Sequence, residues 1–312
     1  MRKWLVTLAL AVLAPAVPVF AADAATPRLE SNAVLVVDQQ EGIPLYGKNS
    51  NAIMPIASIT KLMTAVVVLD ANQPLEEELA VTYDDLDFVK GTRSRLGVGT
   101  LLTRGEMLKL ALMASENRAA SALGRHYPGG LPAFVAAMNR KARDLGMTNT
   151  HFVDSTGLNP ENVSTAADLV KLVEAGYRHR VIREFTTSDS HYVSVEDGAR
   201  NRILAFNNSN GLVRQGNWEI GLSKTGYISE AGRCLVMQAL IGDKPVIIVL
   251  LDSWGKLSRM ADANRIKQWL EVQMGVRETI QVASVRPTAH GVRVSRVIRS
   301  RHDSRRIRTR RM

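Results

Sequence analysis

The chain places strand-like segments near both of its ends and helical patterns between them, and no other feature constrains its fold as strongly. Five segments have the apolar pattern of strands: 33–37, 44–46, 220–227, 233–241 and 244–252. Five others space their apolar residues as helices do: 58–71, 103–112, 131–145, 164–177 and 258–274. This order predicts an α+β domain. We expect one antiparallel sheet built from both chain ends and flanked by helices, with an all-helical middle.

The composition is that of a globular protein with a hydrophobic core. Hydrophobic residues make up 46% of the 312 residues and charged residues 22%, both near the averages for soluble domains. These proportions exclude a fibrous or intrinsically disordered chain. The single cysteine, Cys234, lies in an apolar strand-like run, which predicts a small buried side chain rather than a reactive thiol.

The first 24 residues have the pattern of an export signal. Arg2 and Lys3 precede an apolar run at 4–13, and small residues offer cleavage sites after Ala21 or Ala24. An uncleaved membrane anchor is the alternative, but prolines interrupt the segment well before the roughly 20 apolar residues that a spanning helix needs. We therefore expect 1–24 to be a cleaved signal peptide and the mature protein to be exported.

The formal net charge of +10 comes mainly from the end of the chain. Residues 286–312 contain ten Arg and one Asp, whereas the rest is nearly neutral. We expect a folded domain over 25–278 and a disordered Arg-rich tail over 279–312. Polycations bind anionic surfaces, so this tail is a candidate for contact with the cell envelope, and a solvated tail without a partner is the simpler alternative. Nucleic acid is not expected as a partner of an exported protein.

Ser58-Ile59-Thr60-Lys61 puts a hydroxyl and an amine one helical turn apart. A serine at a helix start lies near free backbone N–H groups and the positive end of the helix dipole, which favour an oxyanion. A lysine held there without its proton could act as the base for the serine. The spacing alone is a weak signal, since it occurs again at 253–256.

Two further motifs follow in order. Ser115-Glu116-Asn117 falls in a predicted loop between helices, where its hydroxyl could relay protons and its amide could orient a substrate, although Ser and Asn are also ordinary turn residues. Lys224-Thr225-Gly226 falls on a predicted strand. Lysine and threonine side chains at a strand edge can bind a carboxylate. Gly226 would let a substrate backbone approach and add as an extra strand, the alternative being a strand end with a solvated lysine.

The ordered set Ser-x-x-Lys, Ser-x-Asn and Lys-Thr-Gly is the signature of penicillin-binding proteins and serine β-lactamases. Longer stretches around the motifs extend the resemblance: 57–65, 112–120, 126–130, 223–227 and 231–237. Over residues 33–274 the chain resembles the low-molecular-mass D-Ala-D-Ala peptidase family, and within it the D-alanyl-D-alanine endopeptidases of the penicillin-binding protein 7 type. The fold implied is the β-lactamase/transpeptidase-like fold.

The resemblance implies a catalytic role for three residues. Ser58 would be the nucleophile that forms an acyl ester, Lys61 would accept its proton, and Ser115 would relay a proton to the leaving amine. The backbone N–H groups of Ser58 and Tyr227 would form the oxyanion hole. Penicillins would acylate Ser58 because they resemble the D-Ala-D-Ala terminus.

The resemblance also implies a substrate-binding role for a second set of residues: Asn117, Lys224, Thr225, Gly226 and Tyr227. Asn117 would hold a substrate amide, and Lys224 and Thr225 would hold the terminal carboxylate. The substrate would be a peptidoglycan stem peptide in the periplasm. No metal or cofactor is expected, because the six histidines show no paired ligand spacing.

Three other functions share some of these features. A D-Ala-D-Ala carboxypeptidase has the same three motifs, so the motifs alone do not separate it from an endopeptidase. A class A β-lactamase needs a deacylating glutamate in a Glu-x-x-Leu-Asn stretch, and the sequence between the second and third motifs contains none. A non-hydrolytic peptidoglycan-binding protein would have no need of both Ser58 and Lys61.

Overall fold

The computed structural model describes residues 26–197 and 200–275. Five strands come from the two ends of the chain: β1 Ser31–Asp38, β2 Pro44–Lys48, β9 Glu219–Ile228, β10 Gly232–Ile241 and β11 Lys244–Ser253. They form one antiparallel sheet in the order β2-β1-β11-β10-β9. The prediction of one sheet shared by both chain ends is confirmed. In this sheet β9, which carries the third motif, is an edge strand.

Eight α-helices lie within the described residues. They are α1 Thr60–Asp70, α2 Arg104–Met113, α3 Asn117–Arg125, α4 Gly130–Asp144, α5 Ala166–Arg178, α6 Arg180–Thr187, α7 Gly211–Gln215 and α8 Ser258–Gln273. The start of α2 has a capping box, in which the Thr103 hydroxyl accepts from the Glu106 N–H and the Glu106 carboxylate accepts from the Thr103 N–H.

The middle of the chain also contains short two-stranded sheets. The prediction of an all-helical middle did not include them. These pair β3 Met54–Pro55 with β6 Val163–Ser164, β4 Glu78–Ala80 with β5 Leu101–Thr103, and β7 Ser190–Asp197 with β8 Arg200–Asn207. In β7, buried Val193 and Val195 alternate with exposed residues. This is the strand period of two, but the charged residues that surround it weaken the pattern in the sequence.

Both faces of the five-stranded sheet are buried, and successive residues of its strands enter two hydrophobic clusters. In β1, Leu35 joins a large cluster that includes the apolar residues of α1, α2 and α5. Val34 and Val36 join a smaller cluster on the opposite face, which α8 covers with Ile266 and Leu270. Double burial explains why these strands read as continuous apolar runs.

Cys234 is fully buried, as its apolar context predicts. Across residues 26–197 and 200–275, no helix is both long enough and apolar enough to cross a bilayer. The predicted signal peptide, 1–24, and the predicted tail, 279–312, lie outside the described residues.

Candidate active site

Ser58 lies in a 3₁₀ turn, Ala57–Ile59, that leads directly into α1. Ala57 has a φ of +48°, in the left-handed region that costs a residue with a Cβ free energy. Gly157 packs tightly on this turn, because a Cβ at position 157 would lie 2.0 Å from the Ala57 carbonyl oxygen. The backbone on the N-terminal side of Ser58 is therefore held in a strained conformation by a close contact that requires glycine.

The Lys61 side chain is fully buried one turn after Ser58. Its Nζ lies 2.9 Å from Ser58 Oγ, 2.7 Å from Asn117 Oδ1 and 2.6 Å from the Thr156 carbonyl oxygen. Three fixed partners leave the amine little freedom to turn away from the Ser58 hydroxyl.

Burial lowers the pKa of Lys61 to about 7 from its ordinary value of 10.5, since the charged form loses its hydration. The carboxylates of Asp154, Glu116 and Asp87 act in the opposite direction, because their negative charge favours the protonated amine. A pKa of about 7 gives a large fraction of neutral Lys61 near neutral pH, which is what a proton acceptor for a serine requires.

Ser115 and Lys224 form a second pair on the other side of the cleft. Ser115 lies in the short link between α2 and α3 with a φ of +61°, and its Oγ accepts a hydrogen bond from Lys224 Nζ at 2.8 Å. Lys224 Nζ also donates to the Thr225 carbonyl at 3.0 Å. Burial holds the pKa of Lys224 well below its ordinary value, and the positive charges of Lys61 and Arg259 lower it further.

Asn117 is the first residue of α3 and connects Lys61 to a neighbouring loop. Its Oδ1 accepts from Lys61, and its Nδ2 donates to Thr92 Oγ1 at 2.9 Å. The amide therefore has a defined orientation. The second motif is predicted to lie wholly in a loop, whereas in the structure only Ser115 and Glu116 precede the helix.

The edge strand β9 forms one wall of the cleft. Thr225 Oγ1 donates to Ser209 Oγ at 2.7 Å. A Cβ at Gly226 would lie 2.9 Å from the Ile56 carbonyl oxygen and 3.2 Å from the Ser58 nitrogen, so this part of β9 runs against the turn that carries Ser58. Tyr227 is exposed.

These residues surround one open cleft. Six of the predicted site residues line it: Ser58, Ser115, Asn117, Thr225, Gly226 and Tyr227. The amines of Lys61 and Lys224 reach its hydroxyl groups from buried positions. The structure thus brings together all eight residues that are predicted from the sequence to be catalytic or substrate-binding.

The cleft also uses residues that sequence reasoning missed. Thr92, Leu158 and Arg259 line it, and Arg259 Nη1 donates to the Gly226 carbonyl at 2.7 Å. Thr156 contributes only a backbone carbonyl, which no side-chain motif can indicate. Each comes from a different segment of the chain, so no local pattern links them.

Comparison with known proteins identifies the family. A family model described as D-alanyl-D-alanine carboxypeptidase matches residues 20–255. The chain belongs to the D-alanyl-D-alanine carboxypeptidase family. Within it, the chain is 45% identical over 268 residues to a D-alanyl-D-alanine endopeptidase of Pseudomonas aeruginosa, a match covering 86% of this chain and 84% of the relative. It is 43% identical over 276 residues to a D-alanyl-D-alanine endopeptidase of Escherichia coli, covering 86% of this chain and 88% of the relative.

Solved structures of other proteins have a similar fold. A DD-transpeptidase of Streptomyces superposes with a TM-score of 0.73 at 28% identity, covering 78% of this chain and 98% of that chain. A penicillin-binding protein homolog of Mycobacterium tuberculosis superposes with a TM-score of 0.72 at 25% identity, covering 84% of this chain and 98% of that chain. The predicted family, fold class and serine-type hydrolase class are therefore confirmed.

Histidine, cysteine and carboxylate side chains do not gather into a metal site within the part of the chain that the structure describes, where no group of three or more could hold an ion.

Proposed function

We propose that this protein is a penicillin-sensitive serine endopeptidase that hydrolyses D-alanyl cross-links in peptidoglycan through an acyl-enzyme on Ser58. One observation carries the proposal: the buried Lys61 amine, with its pKa lowered to about 7, lies 2.9 Å from the Ser58 hydroxyl in a cleft walled by the Lys224 strand. Membership of a peptidase family adds the substrate class.

Acylation begins with proton transfer from Ser58 Oγ to the neutral Lys61 amine. Ser58 Oγ then attacks the carbonyl carbon of the D-alanyl residue, and the carbonyl oxygen of that residue becomes an oxyanion. The N–H groups of Ser58 and Tyr227 are the proposed donors to this oxyanion, and the close approach of Gly226 to the Ser58 nitrogen supports their proximity. The carbon–nitrogen bond breaks as Ser115 passes its proton to the leaving amine. The proton that Lys61 took from Ser58 then restores the Ser115 hydroxyl, and Lys61 returns to its neutral form.

Deacylation reverses the roles of the same groups. A water molecule attacks the ester carbonyl and gives up a proton to Lys61, and Ser58 Oγ leaves with a proton in return. The products are a stem peptide ending in D-alanine and a peptide whose side-chain amine is free.

Substrate binding is assigned to the β9 edge and Asn117. An extended peptide can add alongside β9 as a further strand, with its carboxylate facing Lys224 and Thr225. Because the Lys224 amine already donates to Ser115, this carboxylate is held close to the proposed proton relay. Asn117 carries a second N–H on Nδ2, besides the one donated to Thr92, that suits a substrate carbonyl.

The choice of endopeptidase over carboxypeptidase rests on the relatives named above, which are endopeptidases at 43–45% identity, whereas carboxypeptidases of Bacillus subtilis and Escherichia coli are 30% and 28% identical. Purified cross-linked muropeptide dimers test this choice. Conversion of dimers to monomers is expected, and release of free D-alanine without monomers would establish the carboxypeptidase alternative instead.

Ser58 labelling separates an enzyme from a non-hydrolytic peptidoglycan-binding protein. Fluorescent penicillin is expected to label the wild-type protein and not a Ser58→Ala variant, with mass spectrometry locating the adduct on Ser58. Turnover of a chromogenic cephalosporin at enzyme-like rates would favour a β-lactamase, which the missing deacylating glutamate argues against.

We also propose a periplasmic location and an envelope contact through the basic tail. Ten Arg within residues 286–312 can attract anionic surfaces, at roughly 1 kcal/mol for each charge near a charged leaflet. Adsorption to envelope preparations is expected to weaken as salt rises. Identical adsorption by a protein truncated after Gly275 would exclude the tail as its cause.

A further inference from the structure

The loop of residues 87–92 lies at the rim of the catalytic cleft and is organised by one carboxylate. Asp87 Oδ1 accepts from the backbone N–H groups of Val89 at 2.9 Å and Lys90 at 2.8 Å. Asp87 Oδ2 accepts from the Thr92 N–H at 2.9 Å and from the Thr92 hydroxyl at 2.6 Å. Partial burial raises the pKa of Asp87, but these hydrogen bonds outweigh it and the pKa lies below its ordinary value. Asp87 is therefore ionised at neutral pH.

The Thr92 hydroxyl has a fixed direction for this reason. It donates its proton to Asp87, so its oxygen is left to act as an acceptor. Asn117 Nδ2 supplies the matching donor at 2.9 Å.

The Asn117 amide is oriented in turn. With Nδ2 directed at Thr92, Oδ1 faces the Lys61 amine at 2.7 Å. The opposite rotamer would turn an amide N–H towards the Lys61 amine and leave the Thr92 oxygen facing the amide oxygen, so that acceptor would oppose acceptor. Thr92 thus selects the amide orientation that holds Lys61.

The loop is tied to both walls of the cleft. Asn117, on the helical wall, donates to Thr92. The Lys90 ammonium pairs with the Glu230 carboxylate in the turn between β9 and β10. Thr92 is therefore held between two supports rather than at the tip of a free loop.

We propose that Asp87 and Thr92 are positioning residues for acylation, which act through the Asn117 amide to aim Lys61 at Ser58. This inference rests on the function proposed above, since it assigns a role in that reaction. Neither residue belongs to the three sequence motifs. Asp87 and Thr92 act on Lys61 indirectly, through the hydrogen bonds that lead to Asn117. Asn117 and Lys61 themselves contact the reacting groups.

Charge gives Asp87 a second, separable effect. Lys61 is faced by three carboxylates, those of Asp154, Glu116 and Asp87, and by the Lys224 amine. Removing the Asp87 charge leaves one fewer group that stabilises protonated Lys61. The amine should then lose its proton at a lower pH, which a loss of loop structure alone would not produce.

The experiment measures the second-order rate of Ser58 acylation by fluorescent penicillin from pH 5 to 9, with thermal unfolding as a check on folding. Thr92→Val removes the hydroxyl at nearly constant volume, and Thr92→Ser restores it. Thr187→Val is the matched control, because its hydroxyl donates to the Arg183 carbonyl on α6 and does not line the cleft. Asp87→Asn is compared with Asp84→Asn, which removes an exposed carboxylate three residues earlier in the chain.

We expect Thr92→Val to acylate about tenfold more slowly than wild type and Thr92→Ser to stay within about twofold, consistent with the loss of one orienting hydrogen bond. Asp87→Asn should acylate more slowly and also move the acid limb of the profile to lower pH. Both control variants should match wild type.

Wild-type rates in Thr92→Val, or equal loss in the valine and serine variants, would overturn the positioning role while leaving the proposed function intact. An unmoved acid limb in a folded Asp87→Asn variant would overturn the charge effect. A wild-type protein that does not acylate at Ser58 would overturn the proposed function and this inference together.

Discussion

Adding a single methyl group at Gly226 tests whether the cleft depends on close contact between β9 and the Ser58 turn. In Gly226→Ala the new Cβ would lie 2.9 Å from the Ile56 carbonyl oxygen, 3.2 Å from the Ala57 Cβ and 3.2 Å from the Ser58 nitrogen. Two of these neighbours are backbone atoms, which cannot rotate away. Ordinary van der Waals separation needs roughly 0.5 Å more, so β9 and the turn must move apart.

That displacement falls on the proposed oxyanion donors and nucleophile. Since misplacement by about 1 Å can cost a reaction 10²-fold, a shift of roughly half that size predicts about a tenfold loss in the acylation rate. Gly47→Ala is the matched control: it lies in β2, the opposite edge strand, where its nearest neighbour would be the Leu35 Cδ1 at 3.9 Å.

The assay is the rate of Ser58 labelling by fluorescent penicillin, with unfolding temperatures measured for both variants. Gly226→Ala should label about tenfold more slowly than Gly47→Ala while remaining folded. Equal labelling rates would show that the contact between β9 and the Ser58 turn is not needed for acylation, and the steric argument would fail.

The acylation rate should rise with pH through about 7, because raising the pH deprotonates Lys61, and Lys61→Arg, which stays charged, should abolish labelling across the profile. Ser115→Ala removes the hydroxyl that accepts from Lys224 and should slow muropeptide cleavage about 10²-fold or more; a rate near wild type would exclude it from the proton relay. Gly157→Ala meets the Ala57 carbonyl oxygen at 2.0 Å and adds a Cβ at a φ of +78°, so it should destabilise the protein by at least about 2 kcal/mol in urea unfolding.

The sequence predicts the main sheet and the motif residues because both leave local patterns. Strands buried on two faces read as apolar runs, and α2 begins at a capping box that is visible in four consecutive residues. The three motifs combine side chains of distinctive chemistry in a fixed order, which is why all eight selected residues meet in one cleft.

Other parts of the site leave no such pattern. The Thr156 carbonyl holds Lys61 through backbone geometry, and any residue type could supply that oxygen. Thr92 Oγ1 lies 2.9 Å from Asn117 Nδ2 although the two residues are 25 positions apart in the sequence, so no local pattern links them. Outside the site, the hairpin of β7 and β8 has only a weak pattern in the sequence, because charged residues surround the alternating segment of β7.

The two buried lysines make ligand capture a proton-coupled event. Lys224 has its pKa held well below the ordinary value by burial and by the neighbouring cations Lys61 and Arg259. An anionic group arriving beside Lys224 supplies a negative charge next to the amine, and so favours the ammonium form. The protein should therefore take up hydrogen ions from the buffer when a carboxylate ligand binds. Its affinity for that ligand should rise as the pH falls, until the ligand carboxylate itself becomes protonated.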